Sequence, residues 1–286
     1  MPTFVPAGVV DALDFRGRVV VVTGASRGIG RAIAERFLSC GAEVMASGRN
    51  EIDDERLPEA ADAVGARRRA VGWSGDLRDA EAAASLVASA VERFGHQDVL
   101  VNNAGGSPQV DAADASPRFS SSVVALNLLA PLHCATAANA VMQTQESGGA
   151  IVNVSSVSAL RPSPGSAAYG AAKAGLVSLT QTLAVEWAPR VRINAVSAGM
   201  VATETADDHY GGADGIAEVA RTVPLGRLAR PHEIADCCLF LASPLASYVT
   251  GANLVAHGGG ERPGFLVALE RMGQAEGAGE GRPVAR

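Results

Sequence analysis

Tyr169 and Lys173 stand four positions apart in Tyr169-Gly170-Ala171-Ala172-Lys173, a spacing that puts both side chains on one face of a helix. A free phenol with a pKa of about 10 is a poor base at neutral pH, and lowering that value by about 3 units takes about 4 kcal/mol. An ammonium about 4 Å away supplies roughly that amount at an effective dielectric near 20. The pair is therefore suited to proton transfer at a tyrosine oxygen. Ser156 lies at the end of an apolar run, Ala150 to Ser155, and Pro162 and Pro164 stiffen the loop that joins it to Tyr169. If the run is a strand, Ser156 stands at its carboxyl end, where ligands bind in open α/β sheets.

A second constellation comes early in the chain, at Thr23-Gly24-Ala25-Ser26-Arg27-Gly28-Ile29-Gly30. It follows the β-branched run Arg18 to Thr23 and precedes Arg31 to Leu38, which is apolar at helical spacing. At such a strand-to-helix turn, free backbone N–H groups and the positive helix end can hold a pyrophosphate. Glycine supplies the positive φ and the close approach that the turn needs. Gly24, Ser26, Arg27, Gly28, Ile29 and Gly30 are the candidate phosphate-binding residues.

Both constellations need a scaffold, and the rest of the chain reads as one. Strands are expected at Glu43 to Ser47, Arg69 to Trp73, Asp98 to Asn102, Ala150 to Ser155, Arg192 to Ser197 and Asn253 to His257. Helices are expected at Ile52 to Val64, Asp79 to Phe94, Ser120 to Gln143, Tyr169 to Trp187 and His232 to Leu241. This alternation implies an α/β fold, a doubly wound parallel sheet with helices on both faces. Residues 16–260 read as one catalytic domain, preceded by a leader, 1–15, and followed by a tail, 261–286. Met200 to Leu225, with Gly211, Gly212 and Gly215, breaks the alternation and reads as an irregular, mobile lid.

Composition narrows the function. Hydrophobic residues make up 48% of the 286, aromatics only 4%, and the formal charge is −6. That apolar content excludes a disordered chain, and the mild acidity argues against nucleic acid as a partner. No polybasic run and no continuous apolar run of about 20 residues points to a membrane. Cys40, Cys134, Cys237 and Cys238 form no CxxC or Cys/His ligand spacing, so no metal site is expected, and free thiols suit a reducing, cytoplasmic compartment.

The turn's G-x-x-x-G-x-G spacing resembles that of the short-chain dehydrogenase/reductase family, and further motifs arrive at family distances. Gly75-Asp76-Leu77 follows the third strand, Asn102-Asn103-Ala104-Gly105 ends the fourth, Asn127 lies in the long helix, and Ser156 and Tyr169-x-x-x-Lys173 follow in order. The resemblance runs from about Arg16 to Gly259 and implies a seven-stranded Rossmann-type oxidoreductase, commonly a homotetramer (a homodimer is the smaller alternative). It assigns Tyr169 as the general acid or base, with Ser156 on the substrate oxygen. Lys173 would hold the nicotinamide ribose and tune Tyr169, and Asn127 would anchor a water relay. Asp76 and Asn102 would contact the adenine and its ribose, and Leu77, Ala104 and Gly105 are further candidate cofactor-binding residues. Thr203 would contact the cofactor's carboxamide or phosphates, with Gly199 and Val201 as further candidate cofactor-binding residues. The family's usual proline is replaced by Ala198 in Asn194-Ala195-Val196-Ser197-Ala198-Gly199, and His257-Gly258-Gly259 stands where Asp-Gly-Gly is frequent.

NAD-specific proteins of this fold end the second strand with an acidic residue that binds the ribose 2′-hydroxyl. Here Gly48 holds that place, with Arg49 next and Arg27 inside the glycine turn. Arginine's planar fork matches a 2′-phosphate, so NADP(H) is the expected cofactor and NAD(H) the alternative. The function implied is hydride transfer between that cofactor and a small-molecule carbonyl or secondary alcohol. A non-catalytic, dinucleotide-binding regulatory protein is the reading from another class.

Overall fold

The computed structural model describes residues 8, 11–50, 52, 70–266, 268 and 269. The helix expected from Ile52, most of the leader and the distal tail lie outside the described residues.

Seven strands form one parallel sheet: β1 (Val19–Thr23), β2 (Glu43–Gly48), β3 (Ala70–Ser74), β4 (Val99–Asn102), β5 (Gly149–Ser156), β6 (Val191–Ala198) and β7 (Asn253–Ala256), in the order β3-β2-β1-β4-β5-β6-β7. The chain reverses direction of growth between β1 and β4, which opens a crevice beyond the carboxyl ends of those strands. β1, all valine until Thr23, is buried along its whole length. Its alternation divides the core: Val20 and Val22 face Ile33, Phe37, Ile234 and Leu239 on one side, and Val21 faces Leu86, Leu100, Ile151 and Ala135 on the other. A strand covered on both faces has no polar side, hence the uninterrupted valines.

The first side is covered by α1 (Gly28–Ser39) and α8 (Pro231–Ala242). The other is covered by α2 (Ala80–Phe94), α4 (Ala130–Met142) and α5 (Ala167–Trp187). α2 begins at Asp79, whose carboxylate accepts from Glu81 N at 3.0 Å, and ends at Gly95 with φ +90°.

Two expectations change. The long helix is α3 (Pro117–Val124) and α4 joined by a π-helical turn, Ala125–Leu129. Pro117–Met142 is long and apolar enough, with a hydropathy of 1.4, to cross a bilayer by length and composition, which no short apolar run had suggested. In the fold Ala130, Cys134, Ala135, Ala138 and Met142 are core residues of the sheet's second face. The expected irregular lid is instead two helices, α6 (Ala206–Tyr210) and α7 (Gly212–Thr222). Gly211 and Gly212, at φ +82° and +76°, make the break between them, so glycine here marks a corner, not the absence of helix.

Candidate active site

The glycine turn between β1 and α1 is built so that its backbone faces the crevice. Gly24 has φ +67°, and a Cβ there would stand 2.8 Å from Ala104 Cα. A Cβ on Gly30 would stand 2.1 Å from Gly24 O. Both positions therefore require glycine. Thr23 Oγ1 accepts from the N–H groups of Asn103 and Ala104, each at 2.9 Å, and Asn103 Nδ2 donates to Thr23 O at 3.0 Å. These bonds fasten the end of β4 to the turn. Arg27, at the start of α1, makes no side-chain cap, and Gly28 N, first of the turn, reaches Glu204 Oε1 at 3.4 Å, an anionic partner in the place a helix N-terminus offers to an anion.

The cleft beyond the turn has a volume of about 810 Å³. It is lined by Gly24, Ser26, Arg27, Gly28, Ile29 and Gly30, and farther along by Arg49, Asp76, Leu77, Ala104 and Gly105. Gly199, Val201 and Thr203 complete it near Ser156, Tyr169 and Lys173. A cleft of this volume with a Cβ-free cradle in its wall fits a dinucleotide. Ser47 Oγ, buried in the wall, has no hydrogen-bond partner among the described residues and would be satisfied by such a ligand.

At the inner end, β5 delivers Ser156, whose Oγ accepts from Ser158 N at 3.2 Å. α5 delivers Tyr169 and Lys173 one turn apart. The Ser156 hydroxyl draws the pKa of the Tyr169 phenol down, but burial is the larger effect and leaves that pKa above its ordinary value. Lys173 is 3% exposed. Its Nζ donates to Val154 O at 2.8 Å and lies 5.8 Å from the Tyr169 ring centroid. Burial lowers its pKa to about 8. The sequence arithmetic, in which the ammonium lowers the phenol, omitted desolvation, which acts on both groups.

Asn127 sits in the π turn, fully buried. Its Nδ2 donates to Val123 O and Gly106 O, and its Oδ1 accepts from Gly106 N, all at 2.9 Å. A Cβ on Gly105 would stand 2.6 Å from Asn127 Oδ1 and 3.1 Å from Lys173 Nζ. Asn127 thus pins the loop after β4 beside the lysine, and it does not line the cleft.

Asn102 does not reach the cleft either. It is buried, donating to Asn153 Oδ1 at 2.9 Å and Pro131 O at 3.1 Å. Period two, counted from the core residue Leu100, places it on the helix-covered face, and Asn103 is the residue that turns to the cleft. The Asp76 carboxylate is gripped by Arg78, Nε to Oδ1 at 2.9 Å. That bond, with a smaller contribution from Arg49, holds its pKa below the ordinary value. Sequence reasoning missed Ser47, Glu204 and Thr205, all in the cleft wall, whereas Tyr210, expected from the sequence to line a partly apolar pocket, does lie there. Glu204 Oε1 lies 3.4 Å from Gly28 N, over the anion cradle.

Tyr169 can hold or release a proton at Oη, Ser156 can donate to an oxygen beside it, and Lys173 places a cation behind both. When bound, a nicotinamide dinucleotide would supply or accept the hydride.

Comparison with known proteins agrees. A family model described as Enoyl-(Acyl carrier protein) reductase matches residues 24–261. A short-chain type dehydrogenase/reductase of Sinorhizobium fredii is 40% identical over 246 residues, which cover 85% of this chain. The chain spans 43% of that relative's length. L-rhamnose 1-dehydrogenase (NAD(P)(+)) of Azotobacter vinelandii is 41% identical over 248 residues, covering 85% of this chain and 96% of the relative. A crystal structure of 7α-hydroxysteroid dehydrogenase with NADH and 7-oxo glycochenodeoxycholic acid superposes with a TM-score of 0.83 at 27% identity, covering 90% of this chain and 99% of that one. The chain belongs to the short-chain dehydrogenase/reductase family and is an NAD(P)-dependent oxidoreductase acting on CH–OH groups.

Proposed function

We propose that the protein interconverts a secondary alcohol and a carbonyl with NADP(H), as a ketoreductase or alcohol dehydrogenase. The observation that carries this reading is the gathering of Ser156, the Tyr169 phenol and, one helical turn later, the buried Lys173 ammonium at the inner end of a dinucleotide-sized cleft. In reduction, Tyr169 gives its Oη proton to the substrate oxygen while Ser156 donates a hydrogen bond to the same oxygen. Lys173 stabilises the phenolate left behind. Asn127 is a positioning residue, since its amide is spent on holding Gly106 and the π turn.

NADP(H) is favoured over NAD(H) because Gly48 leaves no carboxylate at the end of β2, while Arg27 and Arg49 line the cleft and are exposed. The test is consumption of NADPH and NADH against a panel of ketones, with Tyr169→Phe as control. NADPH turnover that falls by a factor of about 100 or more in Tyr169→Phe, with cofactor affinity retained, is expected. Near-normal turnover in that variant, or tighter NADH binding, would overturn the respective half.

A homo-oligomer in the cytoplasm is the accompanying proposal. Tyr248 and Val185 are 102% and 82% exposed, apolar area that a partner copy would cover. The four cysteines are free thiols. Sedimentation at a monomer's mass would refute the first part, and fractionation outside the cytoplasm the second.

A further inference from the structure

A recess of about 60 Å³ opens beside Tyr169, between the start of α5 on one side and α3 with the segment before it on the other. It shares Ser107 and Tyr169 with the cleft. Val110, Ala115, Phe119 and Ala168, all half-buried, line it, with the exposed Ala112 and Ala167 beside them. Local bonds fix this lining. Val110 N donates to Gly165 O at 2.9 Å, which ties the segment after β4 to the segment before α5. Ser116 Oγ accepts from Phe119 N at 3.2 Å, capping α3 and setting its first turn. Of the serines on the wall, Ser107 donates to Pro108 O at 2.8 Å and Ser166 to Ser163 O at 2.9 Å. Their hydroxyl protons are thus committed to the main chain, and Ser120 is the third serine of the lining.

We infer that this recess seats the smaller substituent of the substrate's carbonyl carbon, and that Val110, Ala115 and Phe119 limit it to an alkyl group of about two or three carbons. The inference rests on the alcohol–carbonyl reading above and adds a size limit to it. In reduction the substrate oxygen lies at Tyr169 Oη and Ser156 Oγ. The carbonyl carbon takes the hydride of the reduced nicotinamide, and the oxygen takes the Tyr169 proton. One substituent of that carbon then lies on the Tyr169 side, where the recess is the space open to it, and the other extends into the cleft. A water needs about 10–15 Å³ of such space, so the recess has room for about four to six water-sized groups and for fewer of the larger methylenes. A longer chain would have to push apart walls held by the bonds above. A charged group would lose its hydration against a mostly apolar lining.

The test is steady-state reduction of four ketones by the purified protein, with NADPH and with NADH. They are methyl hexyl, ethyl pentyl, propyl butyl and dibutyl ketone, whose smaller substituent grows from methyl to butyl. The wild type should use the first two comparably and lose about tenfold or more in kcat/KM by dibutyl ketone, the scale of an overfilled pocket. Ala115→Leu should move that loss to ethyl pentyl ketone, and Phe119→Ala should restore dibutyl ketone, with KM for NADPH unchanged in both. Methyl hexyl ketone should give predominantly one alcohol enantiomer, because a seated methyl group fixes which face of the carbonyl meets the hydride. Ala115→Leu should lower that excess. A kcat/KM indifferent to substituent size, a size limit that neither variant moves, or no turnover of the series by a protein that reduces other ketones would overturn the inference while leaving the oxidoreductase reading intact. Absence of turnover with every ketone and alcohol and with both cofactors would overturn both.

Discussion

Replacing Lys173 by methionine separates the electrostatic cost of that residue from its chemistry. The ammonium is buried between α5 and β5, with one bond to Val154 O at 2.8 Å, and burial draws its pKa from 10.5 to about 8. A base whose pKa is depressed on folding makes the unfolded chain the better proton binder between those two values. Its contribution to stability is therefore complete above about pH 10.5 and lost as pH falls through about 8. A shift of about 2.5 units corresponds to about 3 kcal/mol. Methionine removes that burden, together with the Val154 hydrogen bond, a loss of about 1 kcal/mol. The variant should thus be about 2 kcal/mol more stable than the wild type at pH 7. By about pH 10.5 the order reverses, with the wild type ahead by about 1 kcal/mol. Urea unfolding of both proteins, at one fixed concentration and several pH values, reads the difference directly, since groups common to both cancel. A difference that stays flat between about pH 7 and 10.5 would refute the reasoning. Turnover in Lys173→Met should fall with the lysine's charge, so gain of stability and loss of activity are expected together.

Three other perturbations test the cofactor end and the core. Glu204→Gln removes a carboxylate lying over the anion cradle at Gly28 N, so NADPH should bind about threefold to tenfold tighter at low ionic strength, a gain that fades with added salt; calorimetry showing unchanged or weaker binding would contradict this. Arg27→Ala and Arg49→Ala should each weaken NADPH by about tenfold and NADH far less, because only the 2′-phosphate loses a charge-assisted bond; equal losses for both cofactors would place the arginines elsewhere on the ligand. Asn153→Leu takes one of the two acceptors of the Asn102 amide, leaving Pro131 O, and removes the Asn153 Nδ2 bond to Thr180 Oγ1 at 2.9 Å. It should cost about 1–3 kcal/mol in urea unfolding, and a neutral outcome would show that the network is dispensable.

The sequence was informative wherever the determining interactions are local. β1 was expected at Arg18 to Thr23 and lies at Val19–Thr23, because a strand covered on both faces is uniformly apolar and needs no partner to be recognised. The Tyr169–Lys173 pair is legible for the same reason, since helical spacing alone brings the two together. The π turn at Ala125–Leu129 is not, because its residues continue the apolar pattern on either side and the fold selects the extra residue by burying Asn127 against Gly106. Nor could spacing disclose Glu204 over Gly28, 176 positions away, or Arg161 beside Glu261. Those contacts exist only once the sheet has brought the carboxyl ends of distant strands to one edge.

The misjudged quantity belongs to the same class. Spacing gave the separation of a phenol and an ammonium, and Coulomb's law gave an attraction of the required size. The cost of taking both groups out of water depends on what α5 packs against, which no local pattern encodes. In the fold that cost dominates, raising Tyr169 and lowering Lys173, so the pair in the free protein holds its protons near neutrality, an arrangement suited to donation by the phenol. The reverse reaction needs additional positive charge near the Tyr169 oxygen, and for that reason alcohol oxidation should show a higher pH optimum than carbonyl reduction. Coincident optima would mean that Lys173 and Ser156 suffice, and that desolvation weighs less on the phenol than its burial implies.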